Sequence, residues 1–427
     1  MNDRETLLKH LRSHESSQLL ASMYGPERAK DQLVRWERLA TAAFDEFGLK
    51  AAELISSPGR TEIGGNHTDH NDGRVLCASV HLDSIACVEA ADDLSVQLRS
   101  DGWEKPFILD LSDLKPREEE KGTPIALIRG VASALAKRDR VIGGFKGCMS
   151  SSVPMGSGLS SSASVEMLFA QIQNILYNQG IIEPVELAAV GKEAENLHFG
   201  KPCGLMDQMA CAIGGISAID FGKPLRPRFS KVDFDFAKAG LAVVVVHAGG
   251  DHADLTDDYA AIPGEMKAVA DLFGQPTLRR MSMEKLLRRT SDVRKTAGDR
   301  ALLRAVHFIR ENSRAADLAE ALEAGKVKKF LKLIRKSGDS SWRLLQNVTV
   351  PGAIKDQSLA VAIELSTEFL GKNGAARVHG GGFAGTIQAF VPLDKLEEYV
   401  GFMDDRFGIG ASTVLHIRST GAGRLEV

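Results

Sequence analysis

The chain has 427 residues, with 53 Lys and Arg against 56 Asp and Glu and a formal net charge of −3. That near-balance gives no electrostatic footprint for nucleic acid or for a membrane surface. With 44% hydrophobic and 26% charged residues the composition is that of a soluble globular protein, and the length allows two or three domains or one large α/β unit.

The opening stretch "MNDRETLLKHLRSHESS" is charged and lacks an apolar h-region, so it does not read as a secretory signal. A helix is expected over "DQLVRWERLATAAFDEFG", with Leu33, Trp36, Leu39, Phe44 and Phe47 at helical spacing and Gly48 as the stop. Short Val-, Ile- and Leu-rich strands follow: "RVLCASV", "DSIACVEAA", "LSVQLRS" and "PFILDLS", separated by Asp and Gly turns. A helix over 125–137 precedes a strand in "FKGCMSSSVP". After a Gly/Ser loop, Val165, Leu168, Phe169, Ile172, Ile175 and Leu176 form a helical stripe. A further helix starts near Pro184 and ends by Gly200. "ISAIDF" and "LAVVVVH" are strands; the latter holds the longest apolar run, too short to span a bilayer. Residues 255–337 are mostly helical. The tail is mixed: helix 357–370, strand "ARVHG", a glycine loop, strand "TIQAFV", helix 393–406 and strand "STVLHI". Strands and helices do not alternate strictly, so the expected class is α+β rather than a doubly wound sheet. The five cysteines are odd in number and show no metal-binding spacing, which predicts reduced thiols in a cytoplasmic protein.

Three constellations carry chemistry. In "PMGSGLSSSAS", Gly156 and Gly158 let the backbone approach a ligand, and Ser160, Ser161 and Ser162 sit where the next helix starts. The free N–H groups and dipole of that helix end favour an anion, so the loop suits phosphate without a lysine, and a hydroxyl in it suits Mg²⁺. It is neither a Walker loop, for want of the Gly-Lys pair, nor a Rossmann fingerprint, since Ser161 replaces the third glycine. A serine-capped helix after a flexible turn would look the same. In "PGRTEIGGNHTDHNDGRVL", Arg60, Glu62, Asn66, His67, Asp69, His70 and Asn71 crowd a glycine-punctuated segment expected to be a loop. A zinc site at His67, Asp69 and His70 and a polyol-binding set are both open on these residues, with polyol recognition favoured. In "EAENLHFGKPCGLMDQMACAIGG", Glu195 is expected on a helix and Asp207 in a short loop; one suits a metal and the other a proton, unless Asp207 is merely a helix cap.

Taken together these segments resemble the GHMP small-molecule kinases and, within them, the galactokinases. "PGRTEIGGNHTDHNDGRVL" is similar to the galactokinase signature Gly-Arg-x-Asn-Leu-Ile-Gly-Glu-His-Thr-Asp-Tyr-Asn. "PMGSGLSSSAS" is similar to the ATP-phosphate loop, "AENLHFGKPCGLMDQ" to the family's Ala-Glu-Asn/His…Cys-Gly-Ile-Met-Asp-Gln stretch, and "RVHGGGFAGTIQAFV" to the C-terminal glycine motif. The resemblance implies a domain like ribosomal protein S5 domain 2 over 1–230 and a ferredoxin-like domain over 231–427, with the site between them. It implies ATP and Mg²⁺, phosphorylation of a sugar at its anomeric hydroxyl, and a monomer. It assigns Asp207 as catalytic base and Arg60 as the arginine beside it. Asn66, His67, Asp69, Gly204 and Tyr259 would line the sugar together with these two. Gly156, Ser157, Gly158, Leu159, Ser160, Ser161 and Ser162 would hold the phosphates, and Ser162 and Glu195 the Mg²⁺. With amides, metal and arginine sharing the charge, phosphoryl transfer does not require a loop lysine.

Among the departures from the signature, Asn66 replaces its Glu, which contacts the sugar near the 6-hydroxyl, and His70 replaces its Tyr. Galactose is the expected substrate; Asn66 opens galacturonate and L-arabinose as alternatives, and N-acetylgalactosamine is a further related sugar. A sugar-sensing regulator without catalysis is a different class of reading, against which stand the intact phosphate loop, Arg60 and Asp207.

Overall fold

The computed structural model describes residues 1–250 and 255–426. Three helices lead: α1 (Arg4–Leu11), α2 (His14–Tyr24) and α3 (Ala29–Phe47). Asp3 and Ser13 cap the first two, and Gly48 ends the third in the left-handed conformation, φ 58°. Trp36, Leu39 and Phe44 pack with Leu54, Ile85 and Cys87 on one face of the first sheet.

That sheet begins with β1 (Glu53–Gly64) and β2 (Arg74–Ala90), then β3 (Ser95–Ser100) and β4 (Phe107–Asp110). Helix α4 (Pro124–Ala136) leads to β5 (Phe145–Ser151), α5 (Ser161–Tyr177) and α6 (Pro184–Ala194). A wide turn of π-helix over Glu195–Phe199 joins α6 to α7 (Met206–Ile213), β6 (Ile216–Asp220) and β7 (Arg228–Val232). The expected strands "RVLCASV" and "DSIACVEAA" are one continuous strand. Asp83, the first residue of the second segment, lies within that strand. It is 0% exposed and accepts hydrogen bonds from Tyr24 Oη at 2.6 Å, Ser56 Oγ at 2.6 Å and Arg35 Nη1 at 2.6 Å. Arg418 Nη1 adds a fourth at 3.2 Å. Compensating charge lets the carboxylate stay inside the sheet.

The second sheet starts at β8 (Leu241–Gly249). A helical region follows: α8 (Thr256–Leu272), α9 (Met283–Arg288), α10 (Thr290–Thr296), α11 (Asp299–Glu323) and α12 (Val327–Ser340). Then come α13 (Ser358–Leu370), β9 (Ala375–Val378), β10 (Gly385–Pro392), α14 (Leu396–Phe407), β11 (Ser412–Leu415) and β12 (Gly423–Arg424). The sheets run β12-β1-β2-β5-β3-β4, with β6 and β7 branching from β2, and β11-β8-β10-β9. All pairings are antiparallel except β3 with β5. The class is α+β as expected. The 230/231 division expected from the sequence falls inside β7, and β12 returns the end of the chain to the first sheet beside β1. One apolar core joins the two sheets: Ile63, Leu76 and Val80 pack with Val243, Val245, Leu318, Phe330 and Phe390. This shared core brings the end of β1 against the glycine loop between β9 and β10. The five cysteines are free thiols, and among the described residues no helix is long and apolar enough to cross a membrane.

Candidate active site

The segment expected to be a polar loop is half strand. Pro58–Gly64 belong to β1, and only residues 65–73 form the connection to β2. The polar residues on the strand are nonetheless buried, Arg60 at 6% and Glu62 at 2% exposure, because each meets an opposite charge. A register shift between Pro58 and Arg60 kinks β1. At that point Gly59 faces the Leu159 carbonyl, 2.9 Å from where a Cβ would stand, and Arg60 N–H donates to the same carbonyl at 2.9 Å. Glycine is needed here because the Gly/Ser loop lies directly on the strand.

The loop itself follows the sequence reading. Gly156 and Gly158 both have φ 71°. α5 begins at Ser161 with Ser160 at its N-cap in the left-handed region, φ 62°, and no side chain caps the helix. Its first amides are therefore left for an anion. The Ser160 hydroxyl turns instead to Asp207, donating to Oδ2 at 2.7 Å. A relay pins the loop from the second sheet. Thr386 Oγ1 donates to Ser157 O at 3.0 Å and must accept from His379 Nδ1, 3.1 Å away. Gln388 Nε2 donates to Thr61 Oγ1 at 2.6 Å, and Thr61 faces His379 Nε2 at 3.0 Å. Burial, then the charges of Arg60 and Arg377, holds the His379 imidazole neutral, well below its ordinary pKa.

Asp207 lies in the first turn of α7, not in the loop expected for it. It is not that helix's N-cap either; Leu205 is. Arg60 Nε and Nη2 clamp Asp207 Oδ1 and Oδ2, both at 2.6 Å, while Arg60 Nη1 donates to the Gly158 carbonyl. One arginine thus joins the carboxylate to the Gly/Ser loop. Burial would raise the Asp207 carboxyl. The Arg60 charge and hydrogen bonds, the Ser160 hydroxyl and Lys201 outweigh it and hold the group below its ordinary value, as an anion.

Glu195 sits in the π-turn after α6. It accepts from Ser162 Oγ at 2.8 Å on Oε1 and from Gln208 Nε2 at 3.0 Å on Oε2. A carboxylate beside a hydroxyl at the start of α5 is a hard-oxygen donor pair that fits Mg²⁺. Two neighbours were not foreseen. Lys201 Nζ lies 3.3 Å from Glu195 Oε1. Glu166, on α5, accepts from Gln208 Nε2 at 2.9 Å; burial and then the Glu195 charge push its carboxyl well above the ordinary range. Lys201 stood in the quoted motif, but nothing local pointed it at Glu195.

Of the residues expected around a sugar, Asp69 and Gly204 meet closely: a Cβ built on Gly204 would overlap Asp69 Oδ2. His67 adopts φ 56° and its Nε2 donates to Gly381 O at 2.9 Å; burial and then His70 lower its pKa to about 4, so the ring is neutral. The Tyr259 hydroxyl donates to Gly382 O at 2.9 Å. Among the described residues no group of three or more His, Cys, Asp or Glu is placed to hold a metal ion, which leaves the zinc reading of His67, Asp69 and His70 without support. Asn66 is 0% exposed, and its amide bonds Gly380, Glu62, Asn347 and Ser341 within the protein.

The comparisons agree with this geometry. Residues 42–90 match the galactokinase galactose-binding signature and residues 126–215 the GHMP kinases N terminal domain. The galactokinase of Actinobacillus pleuropneumoniae is 30% identical over 373 residues, 87% of this chain and 94% of that protein. The chain belongs to the galactokinase family. A galactokinase of Glaesserella parasuis is 31% identical over 361 residues, covering 84% of this chain and 90% of its own. Lactococcus lactis galactokinase, solved in complex with galactose, superposes with a TM-score of 0.79 at 25% identity, over 92% of this chain and all of that one. Methanococcus jannaschii mevalonate kinase shares the fold at a TM-score of 0.59 and 18% identity, over 86% of this chain and 98% of its own. The expected family and the GHMP kinase fold are both as the sequence implied.

Proposed function

We propose that the protein transfers the γ-phosphoryl group of ATP to the C1 hydroxyl of galactose, giving galactose 1-phosphate. The observation that carries this reading is the Arg60–Asp207 clamp. It holds an ionised carboxylate that also touches Ser160 at the head of the phosphate loop. A base so placed stands beside both a bound hydroxyl and the phosphate that hydroxyl attacks.

In this mechanism the amides at the start of α5 and the loop from Gly156 to Ser162 hold the ATP phosphates. Ser162 and Glu195 would hold Mg²⁺, which when bound would neutralise phosphate charge. Asp207 accepts the C1 hydroxyl proton. Arg60 keeps Asp207 ionised and faces the charge that develops on the sugar oxygen. His67, Asp69, Gly204 and Tyr259 line the sugar. The first-sheet unit supplies the loop and the base; the second supplies the glycine motif that backs them. The alternatives galacturonate and L-arabinose rested on Asn66 facing the sugar. That ground falls away with its amide turned to Gly380 and Glu62. A cytoplasmic location, supported by the free, mostly buried thiols, and a monomer complete the proposal.

The experiment is ATP turnover by the purified protein with Mg²⁺ against galactose, L-arabinose, galacturonate, N-acetylgalactosamine and glucose, with Asp207→Asn alongside. Galactose is expected to give the 1-phosphate, with the variant reduced by about 10²–10⁴-fold. Another sugar preferred by more than about tenfold in kcat/KM would overturn the substrate. ATP binding without turnover of any sugar would overturn catalysis in favour of a sensor.

A further inference from the structure

Asn66 stands where the family signature carries glutamate, and its surroundings are those of a structural joint. Its Nδ2 donates to Gly380 O at 2.7 Å and lies 3.2 and 3.3 Å from the two Glu62 carboxylate oxygens. Its Oδ1 accepts from Asn347 Nδ2 at 2.9 Å and from Ser341 Oγ at 3.2 Å. An amide offers two N–H donors and two lone pairs, so nothing is left for a ligand.

The neighbour Glu62 explains the choice of residue. The signature has Asn at its fourth position and Glu at its eighth; this chain has Glu62 and Asn66 there. Amide and carboxylate have exchanged places. Glu62 is buried and bonded to Arg377 Nη2 at 2.6 Å, and Arg377 Nη1 donates to Ile63 O at 2.9 Å. A second carboxylate at 66 would face Glu62 inside the protein, where an uncompensated charge is costly. An amide instead donates to that carboxylate.

The joint has a direction. Three consecutive carbonyls of the glycine loop accept side-chain hydrogen bonds: Gly380 from Asn66, Gly381 from His67 and Asn347, Gly382 from Tyr259. The loop that carries these carbonyls is therefore also the mount for His67 and Tyr259.

We propose that Asn66 is a positioning residue. Together with Glu62 and Arg377 it braces the Gly380–Gly382 loop against the end of β1 and so sets His67 and Tyr259, and it does not read a sugar hydroxyl. What is positioned rests on the sugar-kinase reading; the brace itself does not.

The test compares the full-length protein with Asn66→Ala, Asn66→Glu, the double variant Glu62→Asn/Asn66→Glu, and Ser341→Ala as a milder probe that removes one partner. Hydrogen exchange is followed in the peptide containing Phe383, whose N–H donates to Asn347 O at 2.5 Å. Turnover is followed with galactose, 6-deoxygalactose and L-arabinose. Exchange is expected to quicken at least tenfold in Asn66→Ala, more in Asn66→Glu, and less in the double variant than in Asn66→Glu. In Asn66→Ala, kcat/KM is expected to fall by one common factor, about tenfold, for all three sugars. Unchanged loop exchange, or a selective loss with galactose that leaves 6-deoxygalactose untouched, would overturn the brace. If Asn66→Ala does not fold, quickened or unchanged exchange in Ser341→Ala decides in the same sense. Failure of the wild type to turn over any sugar would refute the kinase reading and leave the exchange result standing.

Discussion

Replacing Arg60 by lysine keeps a positive charge but removes the planar fork. Arg60 makes two hydrogen bonds of 2.6 Å to Asp207 and a third to the Gly158 carbonyl. A lysine reaches one carboxylate oxygen at best and has no rigid second donor. One charge-assisted bond is then lost and the Gly158 carbonyl loses this donor, each change worth roughly 1–3 kcal/mol. Taking about 2–4 kcal/mol as the part felt in the transition state, kcat/KM should fall about 30- to 900-fold. The sign of the pH effect follows from the forces on Asp207. Burial pushes its carboxyl up, and Arg60 is the largest influence holding it down. In the wild type the carboxylate stays ionised through the weakly acidic range, so Asp207 sets no acid limb in kcat/KM above about pH 4. With the fork gone its pKa rises and the rate falls as pH drops through the raised value. The assay is the pH profile of kcat/KM for galactose in Arg60→Lys against wild type. A loss under threefold with an unshifted acid limb would refute the claim that the fork, rather than the charge alone, holds the base.

Gly204→Ala forces Asp69 to swing away from the position its Cβ would occupy; KM for the sugar should rise about tenfold, or ~1.4 kcal/mol, with little change in melting temperature. Glu195→Gln removes the charge from the donor pair with Ser162, and the Mg²⁺ concentration for half-maximal activity should rise at least about tenfold, measured by Mg²⁺ titration at saturating ATP. Glu311 is 0% exposed and accepts from Gly65 N–H at 3.1 Å and Ser337 Oγ at 2.6 Å. Burial raises its carboxyl, but Arg314, His307 and Arg377 bring it down to about 2. A depressed carboxylate stabilises the fold above its unfolded pKa near 4.5 and loses that contribution as pH falls towards 2. Glu311→Gln should therefore lower unfolding stability by about 3 kcal/mol at pH 7, and the gap from wild type should close between about pH 4.5 and 2 in denaturant titrations.

The sequence alone determined those parts of the site whose chemistry is local. The phosphate loop was legible because two glycines with positive φ, a serine run and a helical apolar stripe are properties of neighbouring residues. The same holds for α3 with its Gly48 stop and for the order of the motifs, which placed the family. What the tertiary structure decided is every pairing across distance. Arg60 and Asp207 are 147 residues apart; the family resemblance set them side by side, but only the fold shows the two-bond clamp and the third bond to the Gly158 carbonyl. The segments on either side of His81 and Leu82 read as separate strands because nothing local shows what compensates the charge of Asp83. Its arginines come from α3 and from the far end of the chain. Asn66 read as a ligand because its loop is polar and glycine-rich, and its true partners, Gly380 and Asn347, lie 314 and 281 residues away. Local sequence fixes backbone preference and amphipathic pattern. Whether a buried polar side chain faces a substrate or a protein carbonyl depends on which other segment folds against it, and here that was decided by the core shared between the two sheets.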